Sequence, residues 1–393
     1  MGRILIVAND FPYPPHHGSA VDMWNRILSL KQLGFRLDLI ATVRAEIKRE
    51  RLDAVEAVVD GLWIVGRSRG ITSALSLAPF QVRSRMGLRT VPLTETYEAV
   101  LLESEYVAPI LENRCLKAKV RVLRLANDEP RYYRELRSSA HSWIERCFYL
   151  FEGLKFDRFS PRMKSRCDLL WFISDLERTK HLEASPGDSL KAVFLPPDPG
   201  VRSMRAYSGG GGRVLFIGSL TFPPNLGGLE WYVEHVHPTL SRVQGYSLTV
   251  AGRTDKATLP RLQAALGGYS NIHLCPDPEE LNDLYSQAAV FINPVLRGAG
   301  VKLKTVDALR AGVPVVSTSV GMEGTGLVPG QHLLVADSAE QFVRRVEELL
   351  ADRALAEELV RSAQVFLAET YDNERNMGRS LSSILTVPVC AAG

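Results

Sequence analysis

One stretch in the C-terminal half of the chain constrains the fold most, residues 291–324 with the sequence FINPVLRGAGVKLKTVDALRAGVPVVSTSVGMEG. An apolar run at 288–292 is typical of a buried parallel strand. A loop with two glycines follows, and then a helical pattern that Gly312 ends. The next strand is predicted at 313–317. This order of strand, glycine loop, helix and strand predicts a βαβ unit of a parallel sheet.

The glycine loop of this unit also predicts a phosphate site. Gly298 and Gly300 lack a Cβ, so their backbone can approach an anion closely. The start of a helix favours negative charge, and Lys302 and Lys304 add positive charge there. A nucleotide diphosphate requires these features together. The alternative is an ordinary βαβ unit whose glycines merely turn the chain.

The segment resembles the donor-binding core of the GT-B glycosyltransferases, in particular the retaining family 4. That family typically reads E-x7-E, and its second glutamate opens an EAMAxGxPVV motif. Asp307 opens the corresponding run DALRAGVPVV, so the resemblance assigns it to the donor ribose. The first glutamate would fall at Ala299 and is absent. A subgroup that acts in exopolysaccharide assembly is more similar, because it has R-x-G-x-G-x-K-x-K in that place.

At 393 residues the chain is long enough for two domains, since single cores rarely exceed about 250–300 residues. A glycine-rich run at 208–213 marks the clearest linker. The predicted fold class is α/β, a GT-B fold of two Rossmann-like doubly wound domains facing across a cleft. The predicted parts are an N-terminal acceptor domain at 1–200, a linker at 201–212, a donor domain at 213–370, and a segment at 371–393 that crosses back to the first domain.

Apolar patterns predict the individual elements. We expect the last strand of the first domain at 169–174, with Ser174 capping the next helix. An amphipathic, aromatic-rich helix at 141–165 is expected to pack within its domain rather than anchor the protein to a membrane. The last helix is expected to run from 353 to about 386. The loop after the first strand lacks G-x-G-x-x-G, which excludes a nicotinamide-binding domain.

The resemblance adds further donor-side residues. It implies that Gly18 in the entry loop lets backbone reach the donor phosphate or the acceptor, and that Arg253 is a third basic group for the diphosphate. The loop after Cys275 would hold the nucleobase through backbone groups, which leaves UDP, GDP and other donors open. The predicted catalytic residues are Arg253, Lys302 and Lys304, and the predicted donor-binding residues are Gly18, Gly218, Ser219, Cys275, Gly298, Ala299, Gly300, Val301 and Asp307.

Polar side chains at other strand ends are candidates for the acceptor side. Glu105 follows one strand, and Asn127 and Asp128 follow another, where open α/β sheets build their sites. Relatives often have a histidine–asparagine pair at the second position, and Ala126 replaces that histidine. His16 and His17 precede Gly18 in the entry loop. The alternative for these two histidines is an ordinary surface loop.

Composition limits the class of protein. Hydrophobic residues make up 46% and charged residues 23% of the chain, as in a soluble globular enzyme. The five cysteines include no C-x-x-C pair, so neither a zinc site nor a disulfide framework is expected. The expected compartment is a reducing cytoplasm. The chain runs directly into a strand, which predicts no signal peptide, and no apolar run approaches the roughly 20 residues of a spanning helix.

The net charge of +3 is unevenly distributed, with +7 in residues 1–212 and −4 in residues 213–393. Such an excess suits an anionic membrane face or a pyrophosphate-bearing acceptor, and predicts possible peripheral attachment at the inner membrane. A solvated basic surface is the alternative. Nucleic acid is not expected as a partner, because aromatic residues are not interleaved with the basic ones.

The resemblance implies a glycosyltransferase of the hexosyltransferase type. It would move sugar from a nucleotide sugar to a glycan, lipid-linked or small-molecule acceptor with retained anomeric configuration. No D-x-D occurs, so we expect neither a metal nor any cofactor beyond the nucleotide sugar as co-substrate. Two alternatives stay open: a GT-B protein that binds nucleotide sugar without turnover, and a GT-B sugar-nucleotide epimerase.

Overall fold

The computed structural model describes residues 2–15, 18–68, 76–140, 142–199, 201, 203–209, 211–298 and 300–385. The chain divides into two compact units, Met1–Asp198 with Tyr371–Gly393, and Pro199–Thr370. Each unit is built on a parallel sheet with its own hydrophobic core. Within the described ranges, no helix is both long and apolar enough to cross a bilayer.

The first unit contains a seven-stranded sheet in its described part. Its strands are β1 (Arg3–Ala8), β2 (Arg36–Val43), β3 (Gly61–Gly66), β4 (Thr96–Leu102), β5 (Lys117–Leu125), β6 (Leu169–Phe172) and β7 (Ala192–Phe194). Its helices are α1 (Gly18–Gln32), α2 (Arg49–Glu56), α3 (Phe80–Arg83), α4 (Glu129–Ser139), α5 (Trp143–Ser165) and α6 (Asp175–Ala184), with short 3₁₀ helices at Met86–Thr90, Glu105–Glu112 and Pro186–Asp188. The strand order is β3-β2-β1-β4-β5-β6-β7, and every pairing is parallel. The central strand β1 is apolar and buried from Ile4 to Ala8, because both faces of the sheet are covered.

Two local predictions for this unit are wrong. The last strand is β7, which pairs with β6, and β6 itself ends at Phe172. A three-residue strand is too short to show an alternating pattern, so the sequence does not reveal it. Ser174 precedes α6 as expected, but its side chain forms no capping hydrogen bond.

Helix α5 packs within its unit over only part of its surface. Phe156 and Met163 are buried, as the prediction of domain packing requires. The N-terminal half instead leaves large apolar side chains in solvent, with Trp143 74% exposed and Phe151 60% exposed. An amphipathic pattern identifies an apolar face, but it does not say what covers that face.

A buried network of four charged side chains links α1 to the centre of the sheet. Arg26 donates to both Asp22, at 2.7 Å, and Glu103, at 2.9 Å, and Arg124 donates to Asp22 at 3.0 Å. Although burial opposes it, Arg124 and Arg26 lower the pKa of Asp22 to about 2. The backbone N–H of Asp198 also donates to Asp22, so the network fixes the point where the chain leaves this unit.

The second unit contains a six-stranded parallel sheet in its described part. Its strands are β8 (Arg213–Ile217), β9 (Ser247–Gly252), β10 (Ile272–Pro276), β11 (Val290–Asn293), β12 (Val315–Ser317) and β13 (Leu334–Val335). Its helices are α7 (Pro223–His235), α8 (His237–Leu240), α9 (Thr258–Leu266), α10 (Asn282–Gln287), α11 (Leu303–Arg310), α12 (Ser319–Met322), α13 (Ala339–Ala351) and α14 (Arg353–Thr370). The strand order is β10-β9-β8-β11-β12-β13, so the chain reverses its direction across the sheet between β8 and β11.

The predicted final helix is divided in two. Helix α14 ends at Thr370, and a last helix, α15 (Asn373–Ser382), belongs to the first unit. The Asp372 carboxylate accepts the Arg375 N–H at 3.1 Å and so caps the start of α15. Trp171 on β6 donates to the Ser380 hydroxyl at 2.8 Å, which fixes α15 to the sheet of the first unit.

Candidate functional site

Two loops of the second unit lie together at the carboxyl edge of its sheet. β8 and β11 are neighbours, yet the chain leaves them towards opposite sides, to β9 and β12. Loops that follow such a pair diverge and leave a crevice where open parallel sheets bind ligands. Here the loops are 218–222, which leads into α7, and 294–302, which leads into α11. Helix α7 lies directly against the second loop, since a Cβ on Gly228 of α7 would lie 2.6 Å from the Pro294 carbonyl oxygen.

The conformation of the loop before α11 depends on two glycines and on one lysine. Gly298 has a φ of +121° and Gly300 a φ of +87°, which other residues rarely adopt. The Lys302 ammonium donates to the Gly298 carbonyl at 2.9 Å and to the Gly300 carbonyl at 2.7 Å. Lys302 therefore closes this loop on itself at the start of the helix. Ala299, predicted to line the donor site, lies outside the described residues.

Lys304 connects the two loops. Its ammonium donates to the Asn225 side-chain oxygen at 2.6 Å and lies 5.1 Å from the centre of the Phe216 ring. The Asn225 amide nitrogen in turn donates to the Ser219 carbonyl at 3.0 Å. A Cβ on Gly218 would lie 2.9 Å from that amide nitrogen and 3.4 Å from the Lys304 ammonium. The absence of a side chain at Gly218 thus lets the lysine lie against the loop after β8.

The charge on Lys304 has no carboxylate as its hydrogen-bond partner. Its partner is the neutral amide of Asn225, and Lys302 with the same charge lies two residues away. Burial, and then repulsion by Lys302, lowers the pKa of Lys304 to about 7. An anion bound at this place would stabilise both ammonium groups, so the arrangement favours binding of a phosphate or diphosphate.

Arg253 follows β9 directly and lies beside the same loop. Its carbonyl accepts the Leu220 N–H at 2.7 Å. The preceding Gly252 has a φ of +147°, and a Cβ there would lie 1.9 Å from the Gly218 carbonyl oxygen. The Arg253 guanidinium is exposed and forms no hydrogen bond or ion pair with the rest of the described chain. Its backbone is therefore fixed next to the site while its side chain is available to a ligand.

The other predicted donor-side residues are spread more widely. Asp307 lies on α11, and one of its carboxylate oxygens accepts the Val201 N–H at 2.9 Å. Cys275 is a partly buried free thiol on β10, at the edge of the sheet. The Ser219 hydroxyl lies 3.0 Å from the Thr221 hydroxyl. Val301 is partly buried in the loop before α11. Their contacts with a nucleotide stay predictions.

Several candidates belong to the first unit. Gly18 is the first residue of α1. Glu105 is buried and accepts a hydrogen bond from Ser160 at 2.8 Å, and burial raises the pKa of its carboxyl group. Asp128 caps α4 by accepting the Arg131 N–H at 3.3 Å. Asn127, just before it, is partly buried. The predicted candidates His16 and His17 lie outside the described residues.

Sequence reasoning missed several residues that the structure brings to these places. Asn225 orients Lys304 but stands in a proline-rich helix start, where it resembles a capping residue. Glu129 follows the candidates Asn127 and Asp128, but the sequence does not indicate its contact with Tyr106: the buried Glu129 accepts a hydrogen bond from Tyr106 at 2.6 Å, and burial raises the pKa of Glu129 to about 8. Such pairs come from segments far apart in the chain, and no local spacing indicates them. In the described part of the chain, no group of three or more His, Cys, Asp or Glu side chains is arranged to hold a metal ion.

Known proteins resemble this chain in sequence over different lengths. A family model described as Glycosyl transferases group 1 matches residues 211–352, which contain both loops of the site. A Klebsiella pneumoniae protein named "Uncharacterized 44.6 kDa protein in cps region" is 35% identical over 387 residues. That alignment covers 95% of this chain and 98% of the relative.

Solved structures resemble it in fold. HepE from Anabaena, in complex with UDP and glucose, has a TM-score of 0.64 at 11% identity, and the match covers 98% of this chain and 100% of that one. Residues 211–352 thus form a group 1 glycosyltransferase domain, and the chain has the GT-B fold. It also shares a family with the Klebsiella protein. The glycosyltransferase thus has the fold class predicted from its sequence.

Fold alone does not separate this glycosyltransferase from other enzymes. A proposed UDP-N-acetylglucosamine 2-epimerase from Listeria monocytogenes has a TM-score of 0.58 at 16% identity, covering 97% of this chain and 95% of that one. The match to the group 1 model, rather than the fold, favours glycosyl transfer over epimerisation.

Replacing Lys304 with methionine is expected to weaken the binding of a nucleoside diphosphate about ten- to a hundredfold. A charge-assisted phosphate contact contributes roughly 1.5–3 kcal/mol. Thermal stability should stay unchanged or rise, because methionine fills a similar volume without a buried charge. Lys302→Met should weaken binding and also lower stability, because the loop loses the two hydrogen bonds from that ammonium.

Titration calorimetry with UDP and GDP measures the first effect, and thermal unfolding measures the second. Arg344→Met is the matched control, since it removes an exposed cation from α13 of the same unit. Unchanged nucleotide affinity in Lys304→Met would contradict the phosphate assignment. A loss of affinity that tracks a loss of stability in that variant would also contradict it.

Proposed function

We propose that this enzyme transfers a hexosyl group from a nucleoside diphosphate sugar to a glycan acceptor, with retained anomeric configuration and without a metal ion. The observation that carries the proposal is Lys304, held between the loops after β8 and β11 by a neutral amide and beside a second lysine. The group 1 family match supports it. The relative in a cps region supports a place in exopolysaccharide assembly, as in the subgroup of family 4 that the sequence resembles.

The reaction breaks the bond between the anomeric carbon and the diphosphate oxygen. Negative charge then develops on the departing diphosphate, and Lys304, Lys302 and Arg253 stabilise it. The new bond forms from an acceptor hydroxyl on the same face of the sugar, and its proton passes to the departing phosphate oxygen. These side chains supply the positive charge that a metal ion supplies in other transferases. Asp307 is proposed to accept the ribose hydroxyls, which a structure with bound nucleotide tests.

A panel of UDP and GDP sugars, incubated with and without oligosaccharide or lipid-linked acceptors, tests this function. We expect free nucleoside diphosphate to appear together with a glycosylated product, and only when an acceptor is present. The anomeric coupling constants in the proton NMR spectrum should show the configuration of the donor. Excess EDTA should leave the rate unchanged.

Four results would overturn parts of the proposal. An inverted product would exclude retention. Loss of turnover with EDTA, restored by Mn²⁺, would exclude metal independence. Formation of an epimerised sugar without any acceptor would show that the protein is an epimerase. Tight donor binding without turnover of any sugar on the panel would show that it binds nucleotide sugars without transferring them.

The enzyme is further proposed to work in the cytoplasm at an anionic membrane surface. The described cysteines carry free thiols, as expected in a reducing compartment. Trp143, Leu150, Phe151 and Leu154 form an exposed stripe along one face of α5, at spacings of three, four and seven residues. We call these four residues the apolar stripe.

Basic residues continue the apolar stripe towards the C-terminus of α5. Arg158 and Arg162 are exposed and follow Leu154 at intervals of four residues, so they lie on the same face. Aromatic and aliphatic side chains beside arginines suit the boundary between acyl chains and anionic headgroups. This charge complementarity favours an anionic bilayer over a second copy of the chain.

The apolar stripe predicts salt-sensitive binding to vesicles that contain phosphatidylglycerol, and weak binding to pure phosphatidylcholine. The double variant Trp143→Ser, Phe151→Ser should reduce the partition at least tenfold, because burying one such side chain contributes about 1.5–3 kcal/mol. Leu190→Ser is the control, since Leu190 is 94% exposed outside the stripe. Flotation measures binding. Failure to bind anionic vesicles at low salt, or a dimer that the double variant dissociates, would contradict membrane docking.

A further inference from the structure

The first unit contains a cavity of about 420 Å³ that no role described above uses. Its lining begins with Asn9 and Asp10, directly after β1. Three arginines from separate segments also line it: Arg44 after β2, Arg67 after β3 and Arg85 after α3. The cavity therefore lies at the carboxyl edge of the sheet and has the size of a small-molecule site.

Arg85 is buried at this cavity and is held by neutral groups. Its guanidinium donates to the Thr42 hydroxyl at 3.0 Å, to the Asn9 carbonyl at 3.0 Å and to the Gln81 carbonyl at 2.7 Å. It also lies over the ring of Tyr106, 5.4 Å from the ring centre. These contacts fix its position, but none of them neutralises its charge.

Arg67 is held in a similar way. Its guanidinium donates to the Thr42 carbonyl at 3.2 and 3.0 Å and to the Asn9 carbonyl. The Asp10 carboxylate lies 3.4 Å from Nη2 of Arg67, and the Asp10 side chain is 53% exposed. The Nη1 group of Arg67 has no hydrogen-bond partner among the described residues. One arm of a fixed guanidinium is therefore available to a ligand.

Positively charged groups outnumber carboxylates among the described residues that line the cavity. Three guanidinium groups line it, and Asp10 is the one carboxylate among the described lining residues. Burial, and then repulsion by Arg67, lowers the pKa of Arg85 to about 9. Burial also lowers the pKa of Arg67. Guanidinium groups bind carboxylates and phosphates through paired hydrogen bonds, so the cavity is suited to an anion of that kind.

Aromatic side chains form the other part of the lining. Phe80 and Phe148 have ring centres 6.2 Å apart, and Phe148 and Tyr149 have centres 5.7 Å apart. Tyr132 and Tyr133 complete this side. Aromatic faces pack against the C–H groups of a sugar ring, while tyrosine hydroxyls bond to its hydroxyls. A free anion would use only the arginines of the cavity, whereas an anionic sugar would contact both the arginines and the aromatic side chains.

We propose that this cavity binds an acceptor sugar that carries a carboxylate or a phosphate, with Arg44 and Arg67 holding the anionic group and the aromatic side holding the ring. The proposal rests on the glycosyl transfer proposed above and adds the chemical class of the acceptor. The basic residues proposed for the donor diphosphate, Lys302, Lys304 and Arg253, lie in the second unit, so the cavity is separate from them. Arg85 positions the site by fixing the segments that carry Asn9, Thr42 and Gln81.

Binding of small probes to the full chain, without any donor, tests the proposal directly. The probes are glucuronate, glucose 6-phosphate, glucose and inorganic phosphate, and saturation-transfer NMR with titration calorimetry measures their affinities. We expect glucuronate or glucose 6-phosphate to bind at least tenfold more tightly than glucose or phosphate alone. Arg67→Gln and Arg44→Gln should each weaken that binding about ten- to a hundredfold.

Arg83→Gln is the matched control, because Arg83 is an exposed arginine on α3 that does not line the cavity. Tyr149→Ala should weaken the binding of the sugar probes and leave the binding of inorganic phosphate unchanged. Equal binding of glucose and glucuronate, equal binding of phosphate and glucose 6-phosphate, or equal behaviour of Arg67→Gln and Arg83→Gln would each overturn the proposal. Dependence of UDP or GDP affinity on Arg67 would overturn it in favour of a nucleotide site.

The same variants separate this proposal from the proposed transfer reaction. With an anionic acceptor, Arg67→Gln should raise the acceptor KM and leave the donor KM unchanged. If no acceptor is glycosylated but the probes still bind through Arg44 and Arg67, the transfer proposal fails and the cavity remains an anionic sugar site. If transfer proceeds with uncharged acceptors and the probes do not bind, the cavity proposal fails alone.

Discussion

Every strand in the two described sheets runs in the same direction as its neighbours, and this constraint decides where chemistry is possible. Loops that follow parallel strands all reach the same edge of a sheet, and they diverge where the strand order reverses. In the second unit that reversal lies between β8 and β11. The backbone is so close there that Gly228 of α7, against the Pro294 carbonyl, and Gly252 of β9, against the Gly218 carbonyl, have no room for a side chain. Lys304 can bridge the two loops only because the backbone comes this near.

Buried charged side chains have different hydrogen-bond partners in the core of the first unit and at the proposed sites. In the core of the first unit, Arg26 and Arg124 contact the carboxylates of Asp22 and Glu103. These contacts link α1 to the sheet and to the point where the chain leaves this unit. At the donor loops, Lys304 contacts an amide instead. At the cavity of the first unit, the hydrogen bonds of Arg85 all go to uncharged oxygens. Because an unbalanced buried charge is unfavourable, these two carboxyl edges are the places where we propose anionic ligands.

Local patterns were sufficient for most of the fold and for part of the site. Buried strands such as β1 and the glycine–lysine loop are contiguous in sequence, so spacing and residue type indicate them. β7 and β13 are too short to show a period, and the break before Asp372 is marked only by a capping residue. Asn225 and the three cavity arginines come from segments that are distant along the chain. Only tertiary structure brings them together, which is why the sequence alone does not predict them.

The central claim is that Lys304 binds the diphosphate of the donor. Calorimetric titration with UDP or GDP at pH 8, in buffers of different ionisation enthalpy, measures the protons taken up on binding. With a pKa of about 7 in the free enzyme, Lys304 is mostly neutral at pH 8, and the bound anion raises that pKa. The account predicts uptake of close to one proton by the wild-type enzyme, and almost none by Lys304→Met. Binding without proton uptake, or equal uptake in both proteins, would contradict it.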